Sequence, residues 1–467
     1  PFPRGVRGVD RAAMILFAHQ ERFRRIAKER SRFAWYAEPG CGKTIGMLAA
    51  IADHPIRTLV LAPKSILESA WGGDAKHFPA LRVAVVRSGG RGLPDADVYV
   101  ANYDAFKRRL KEFQAAGIKR LVVDESSKIR NPSAQITKAV LAFARSCESV
   151  YLLSGTPAPN EYPEYWAQLA AIGATNLPYF SFAHRFGYPI KRQAKGRTFV
   201  ERWCQTEPQA KALQDLLASC SWPLRKAECL DLPPQLDRII EVPLSAPEAA
   251  AYESVRDQLR IALESGESVQ VAGGAALMKL RQITGGSVRV EGEATGLGSS
   301  KLDALSEYLD ELGREPCVVW FQFRDERRRL AALMDERGDE CRWIDGETSF
   351  MAGKIADDFQ AGKFTRLLCH PQAAGHGITL HRASHAVYYS LDFSFENYVQ
   401  SRDRIHRAGM SDVPATYTHL LATVGGEKSV DHSALKTCRA KQKASDAILD
   451  AVREVCRAEP IEQGAQQ

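Results

Sequence analysis

The feature that most limits what this chain can fold into is an alternation of short, apolar, β-branched runs with helical stretches. The runs fall at residues 33–36, 58–62, 98–102, 121–124 and 150–154, and a second set follows at 318–323, 365–370, 386–390 and 415–421. Continuous apolar strands separated by helices denote parallel sheets covered on both faces. The expected fold class is therefore α/β, with two separate parallel-sheet lobes. Between the sets the strand signal fades, and helical patterns such as 208–218 and 247–264 take over. The expected division is a first lobe over residues 1–231, with a helical insertion at about 162–231, and a second over 232–467, with one at about 236–300. The crossing is placed at Asp231-Leu232-Pro233-Pro234, because a double proline cannot lie inside a helix. Residues 286–300, rich in Gly, Ser and Glu, read as a mobile loop, and the tail after Pro460 as frayed. No repeat of a solenoid or propeller is present.

Composition narrows the class further. A chain of 467 residues that is 45% hydrophobic can bury ample core without covalent staples. No apolar run approaches the ~18 residues of a membrane span, and the N-terminus lacks a signal-peptide core, so a cytoplasmic protein is expected. The ten cysteines are scattered, with no C-x-x-C pair among them, which fits free thiols in a reducing compartment. Net charge is +7, and residues 1–36 carry nine Arg or Lys against three Asp or Glu. That excess fits either a polyanionic partner such as nucleic acid or a solvated helix face.

Three segments carry chemistry. The first is Ala37-Glu38-Pro39-Gly40-Cys41-Gly42-Lys43-Thr44, between an apolar run and a helical stretch at 45–52. Glycines here let backbone N–H groups wrap phosphates at a helix N-terminus, Lys43 can reach the β- and γ-phosphates, and the Thr44 hydroxyl can bind Mg²⁺. The second is Asp124-Glu125, two acids at the carboxyl end of an apolar strand, where ligands bind in parallel sheets. Asp124 can hold Mg²⁺, and Glu125 can deprotonate an attacking water. The third is the run from Gln400 to Gly409, in which Arg404 and Arg407, three apart, are expected to share a helix face and to neutralise charge developing on a γ-phosphate.

Together these segments resemble the Swi/Snf-type ATPases, the double-stranded-DNA-translocating branch of helicase superfamily 2. The resemblance runs from His19-Gln20 to Gly409 in the family's order. It is carried further by Ala62-Pro63-Lys64-Ser65 with Trp71, Ala101-Asn102-Tyr103, Leu153-Ser154-Gly155-Thr156-Pro157 with Asn160, Leu232-Pro233-Pro234, Leu280-Arg281-Gln282, Ser300-Lys301-Leu302, Phe321-Gln322-Phe323, Ile344-Asp345-Gly346 and Gly375-His376-Gly377-Ile378-Thr379-Leu380. It implies two RecA-like lobes with ATP and Mg²⁺ between them. Gln20, residues 38–44 and Gln400 would contact nucleotide; Lys43, Asp124, Glu125, Arg404 and Arg407 would act in hydrolysis; Lys64, Ser65, Thr156, Gly375, His376 and Gly377 would touch DNA phosphates. The chain departs from the family pattern at Ala37, Pro39, Cys41, Thr379 and Met410, and at Ser127, where a His or Gln usually links the Asp-Glu box to the second lobe.

The implied activity is ATP-driven movement along double-stranded DNA by a monomeric motor in a bacterial or phage-infected cell, associated with the nucleoid, with room for a protein partner that supplies specificity. Two alternatives stay open: a strand-separating helicase on single-stranded DNA or RNA, and a non-catalytic DNA-binding scaffold. The basic run at 191–197 fits a DNA-backbone contact or a plain exposed loop. The histidines at 370, 376, 381 and 385 lack the further ligands of a zinc site and read as loop and surface residues. Cys41, beside phosphates and a helix N-terminus, is expected to be sensitive to oxidation or alkylation.

Overall fold

The computed structural model describes residues 15–458 except 91, 195–196, 265–268, 291–292 and 375–376. The first lobe is a parallel sheet of β1 (Arg32–Ala37), β2 (Thr58–Leu61), β3 (Val83–Val86), β4 (Val98–Ala101), β5 (Arg120–Asp124), β6 (Ser149–Leu153) and, after a hairpin of β7 (Tyr188–Ala194) and β8 (Arg197–Cys204), β9 (Ser221–Leu224). Its strand order is β3-β4-β2-β5-β6-β1-β9. The second lobe comprises β10 (Gln235–Pro243), a hairpin of β11 (Ser287–Val290) and β12 (Glu293–Gly296), then β13 (Cys317–Trp320), β14 (Cys341–Ile344), β15 (Arg366–Cys369), β16 (His385–Tyr388), β17 (Ala415–Val424) and β18 (Glu427–Lys428). Its parallel sheet runs β10-β17-β16-β13-β15-β14, with β18 antiparallel on β17.

The central strands of both sheets are buried on both faces, which is why they read as unbroken apolar runs. Along β1, Ala34 and Tyr36 enter one core while Phe33, Trp35 and Ala37 enter the other. The second sheet splits likewise at β13, with Val318 and Trp320 on one side and Cys317 and Val319 on the other. Parallel strands deliver their following loops to one edge. The segments after Ala37, Leu61, Ala101, Asp124 and Leu153 therefore emerge together, and the Asn102 side chain there caps the next helix by accepting from the Ala105 amide at 2.7 Å.

Three sequence expectations are corrected. The stretch at 162–231 is not wholly helical: it holds the β7–β8 hairpin and the sheet strand β9. Residues 286–300, expected as a mobile loop, contain the β11–β12 hairpin, and the second insertion begins only after β10. These strands lacked the apolar signature for physical reasons. The hairpins face solvent, β10 is a largely exposed edge strand, and β9 carries Pro223, which only an edge position tolerates. The tail after Pro460 lies outside the described residues.

The chain passes between sheets over residues 225–234 and returns once. The helix Val430–Ala458 starts in the second lobe's core through Ala434, Leu435 and Cys438, and ends in the first lobe's through Leu449 and Val452. At 1.5 Å per residue it spans roughly 40 Å, enough to tie the lobes together. Among the described residues, no helix is long and apolar enough to cross a membrane.

Leu449→Ala is expected to cost about 2–4 kcal/mol in urea unfolding followed in the first lobe, whereas Lys443→Ala, on the exposed side of the same helix, should fall within about 0.5 kcal/mol of the parent. Equal effects would contradict the packing described.

Candidate nucleotide site at the lobe interface

The loop after β1 is built for close backbone approach. Gly40 and Gly42 adopt φ of 89° and 67°, the left-handed region that side chains resist, and Gly42 caps the helix Lys43–Asp53 without any capping side chain. The first amides of that helix therefore point into the loop as free donors. Lys43 Nζ lies across the loop, donating to the carbonyls of Ala37 at 2.8 Å and Glu38 at 3.2 Å. Gln20 closes one side, its Nε2 donating to the Gly42 carbonyl at 3.1 Å, and a Cβ at position 42 would lie 2.2 Å from that nitrogen. The His19 ring nitrogen meets the Cys41 carbonyl at 2.8 Å.

Asp124 ends β5 at the same edge. Its Oδ2 accepts from Trp71 Nε1 at 2.9 Å and its Oδ1 from the Glu125 amide at 3.0 Å. Glu125 is the one non-glycine with positive φ among the described residues, at 51°, and the Tyr103 hydroxyl pins this turn by donating to the carbonyls of Asp124 at 2.6 Å and Glu125 at 3.3 Å. Burial raises both carboxyl pKa values, with Lys43 opposing. Glu125 is pushed up to about 7, with Asp124 and Glu396 adding to the rise. Two hard oxygen donors, the Thr44 hydroxyl and the Asp124 carboxylate, belong to this edge, and each Asp124 oxygen keeps a lone pair beyond its one amide or indole partner. The donor set fits Mg²⁺.

The second lobe contributes a cationic turn. Arg404 and Arg407 do not share a helix face: the helix Phe395–Asp403 ends just before them. They are gathered instead by one acceptor, the Ile378 carbonyl, at 3.3 Å and 3.2 Å, and Arg407 also donates to Thr379 Oγ1 at 3.0 Å. Burial lowers Arg404 to about 10, helped by Arg407 and opposed by Asp403 and Glu125, so it remains charged at neutral pH. A Cβ at Gly40 would lie 3.7 Å from Arg407 Cβ and 3.4 Å from Lys226 Cε. The β1 loop and the arginine turn thus face each other.

Two contacts hold that arrangement, and the sequence signalled neither. Lys226, 4% exposed, receives no motif or periodic pattern; its amide donates to Glu38 Oε2 at 2.8 Å, and its Nζ to the Asp403 carboxylate and, at 2.7 Å, to the His406 carbonyl. On the other side Glu396 accepts from Lys128 at 3.2 Å and Arg130 at 3.1 Å. Ser127 is buried and its hydroxyl makes no hydrogen bond among the described residues, where the link from the Asp-Glu box to the second lobe passes through its neighbours Lys128 and Arg130.

The remaining expected site residues divide. Lys64, Ser65, Gly377 and Gln400 line an inter-lobe cleft of about 1790 Å³, with Arg130 and Glu396 in its wall. Gln400 sits 3.5 Å from Glu396 Oε1, on the cleft side of the interface rather than on the β1 loop. Thr156 is buried at the end of β6, its amide on Ser154 Oγ at 3.2 Å. Gly375 and His376 lie outside the described residues, as do Lys195 and Gly196 of the basic run.

Comparison with known proteins gives this geometry a class. Residues 36–285, more than half of the chain, match the SNF2-related domain, and residues 300–409 match the helicase conserved C-terminal domain. The chain belongs to the SNF2-related family, the Swi/Snf-type ATPases of helicase superfamily 2, whose two RecA-like lobes are the two sheets described. It is 24% identical over 453 residues to a protein provisionally named p41 from Acyrthosiphon pisum secondary endosymbiont phage 1, covering 90% of this chain and 94% of that one. It is also 24% identical over 442 residues to a Bacillus subtilis protein provisionally named as the ATP-dependent helicase/translocase YwqA, covering 88% of this chain but 46% of that one. Among solved structures, the Sulfolobus solfataricus SWI2/SNF2 ATPase core in complex with dsDNA matches with a TM-score of 0.43 and 20% identity, covering 94% of this chain and 97% of that chain.

The buried Glu125 carboxyl makes a stability prediction. Its folded pKa of about 7 lies above its ordinary value of 4.5, so the folded protein holds a proton that the unfolded chain has released, and stability falls as pH rises from 4.5 through 7. Glu125→Gln removes that loss. The variant is expected to gain about 1–3 kcal/mol over the parent at pH 8 and little at pH 4.5, read from denaturant melts at both pH values. A gain independent of pH would contradict the assignment.

Proposed function

We propose that the chain is an ATP-driven double-stranded DNA translocase whose hydrolytic site is completed only when its two lobes meet. The observation that carries this is the approach of Arg407 to Gly40 and of the Arg404 charge to Glu125: two cations of one lobe face the loop and the Glu125 carboxyl of the other. The free amides at the start of the helix Lys43–Asp53 suit phosphate oxygens, and Lys43, now on two carbonyls, is free to exchange them for phosphate. Gln20 holds the loop from outside. Thr44 and Asp124 would hold Mg²⁺, which supplies charge neutralisation at the phosphates when bound.

Glu125 then serves as general base. A pKa near 7 places it where a carboxylate can take a proton from water at neutral pH, and its pinned backbone fixes the direction of its side chain. Arg404 and Arg407 stabilise the negative charge that grows on the transferred phosphoryl oxygens. Because the interface forms through Lys226 and Glu396 as well, closing and opening of the lobes would change the shape of the cleft carrying Lys64, Ser65 and Gly377. Backbone and cationic groups there would hold DNA phosphates without regard to sequence. Alternating that grip moves the protein along duplex DNA.

The test is steady-state ATP turnover with no nucleic acid, duplex DNA, single-stranded DNA or RNA at one fixed low salt. Stimulation chiefly by duplex DNA is expected, with Lys43→Ala and Glu125→Gln reducing turnover at least a hundredfold while leaving duplex binding within about threefold. Stimulation only by single strands or RNA would favour a strand-separating helicase, and no turnover in any condition would favour a scaffold.

A further inference from the structure

We infer that Cys41 and Cys229 are a paired oxidation site, at which a peroxide of small size joins the two sulfurs and fixes the nucleotide loop. The two Sγ atoms lie 3.6 Å apart although 188 residues separate them in sequence. Parallel pairing of β1 with β9 brings them together: Cys41 sits in the loop leaving β1, and Cys229 follows the turn Lys226–Glu228 that leaves β9. All nine described cysteines carry free thiols, and this is the one sulfur-to-sulfur contact among them. A disulfide needs the sulfurs to close to about 2.05 Å, a shift of about 1.5 Å at one loop and one turn, neither held in a sheet.

The two thiols divide the chemistry. Cys41 is 1% exposed, whereas Cys229 is half-buried and open to a small oxidant. The contact between the two sulfurs holds Cys229 below the ordinary thiol range, while that same contact and burial push Cys41 up. Cys229 therefore attacks first. Its sulfur displaces one oxygen of hydrogen peroxide, giving a sulfenic acid and one water; the Cys41 sulfur then displaces that hydroxyl, giving the disulfide and a second water. Two thiols and one peroxide become one disulfide and two waters, and a dithiol reductant reverses the change.

The consequence follows from the neighbours. Cys229 belongs to the segment whose Lys226 binds Glu38 on one side and Asp403 and His406 on the other. Tying Cys41 to it anchors the loop to the connection between lobes, so the amides around Gly40 and Gly42 can no longer open onto phosphate. This loss of turnover rests on the ATP-site reading; the cross-link itself does not.

The experiment treats the full chain with hydrogen peroxide, then blocks remaining thiols, digests without reductant and identifies linked peptides by mass spectrometry, with ATP turnover measured in parallel. The expected result is a Cys41–Cys229 linked peptide, at least a tenfold loss of turnover restored by dithiothreitol, and resistance of Cys229→Ser and Cys229→Ala to the loss. Absence of the linked peptide while other cysteines oxidise would overturn the pairing. Equal inactivation of the parent and both variants, or a linked protein that turns over ATP normally, would overturn the blocking role. A linked peptide in a protein with no ATP turnover at all would support the pairing and reject the ATP-site reading.

Discussion

The Lys226 ammonium is the interaction on which the arrangement of the two lobes turns. It is buried between the loop of one lobe and the arginine turn of the other, held by the Asp403 carboxylate and the His406 carbonyl while its own amide fixes Glu38. A buried charge left without its partner costs about 3–5 kcal/mol, so this lysine favours the state in which the lobes touch. Its position also decides what meets what. With Lys226 against Gly40, Arg407 is brought to the same glycine, whose φ of 89° is a backbone conformation that L side chains rarely adopt. Burial of Glu38 raises its pKa, and the Lys226 amide opposes that rise. Glu396, paired with Lys128 and Arg130 of the segment that follows β5, repeats the device at a second inter-lobe contact.

Around that contact the site is a place of stored cost rather than of stability. Glu125 stands in a left-handed conformation worth roughly 1–2 kcal/mol against it, and its carboxyl and that of Asp124 are buried together. Rigid parallel strands beneath them carry this, because β5 is buried along its whole length and Trp71 and Tyr103 clamp the turn that follows. The long helix Val430–Ala458 adds a mechanical link, since its two ends belong to different cores. Motion between lobes must therefore be accommodated within that helix or at its packing against one lobe.

Much of this was legible in the sequence, and the exceptions have physical causes. Buried parallel strands announce themselves because both of their faces need apolar residues, which is why the runs around Val60, Val122 and Val319 led directly to strands. Strands with a free face or an edge, such as β7, β8 and β10, carry polar residues and read as something else. The β1 loop was legible because glycine spacing is imposed by backbone geometry. Arg404 and Arg407 were legible as a pair, but not their conformation, since the helix ends one residue before the first of them and the distant Ile378 carbonyl gathers both. Lys226 and Glu396 were silent. A single charged residue looks the same whether it meets water or the opposite lobe, and only the chain's return across the interface distinguishes them.

The claim that one lobe completes the other's site is tested most directly by single-turnover hydrolysis in Arg404→Ala and Arg407→Ala alongside ATP affinity. The account predicts that the hydrolysis rate falls by about 10³–10⁵ in each while the dissociation constant for ATP changes by no more than about tenfold. Hydrolysis at the parent rate in either variant, with the protein folded, would contradict it.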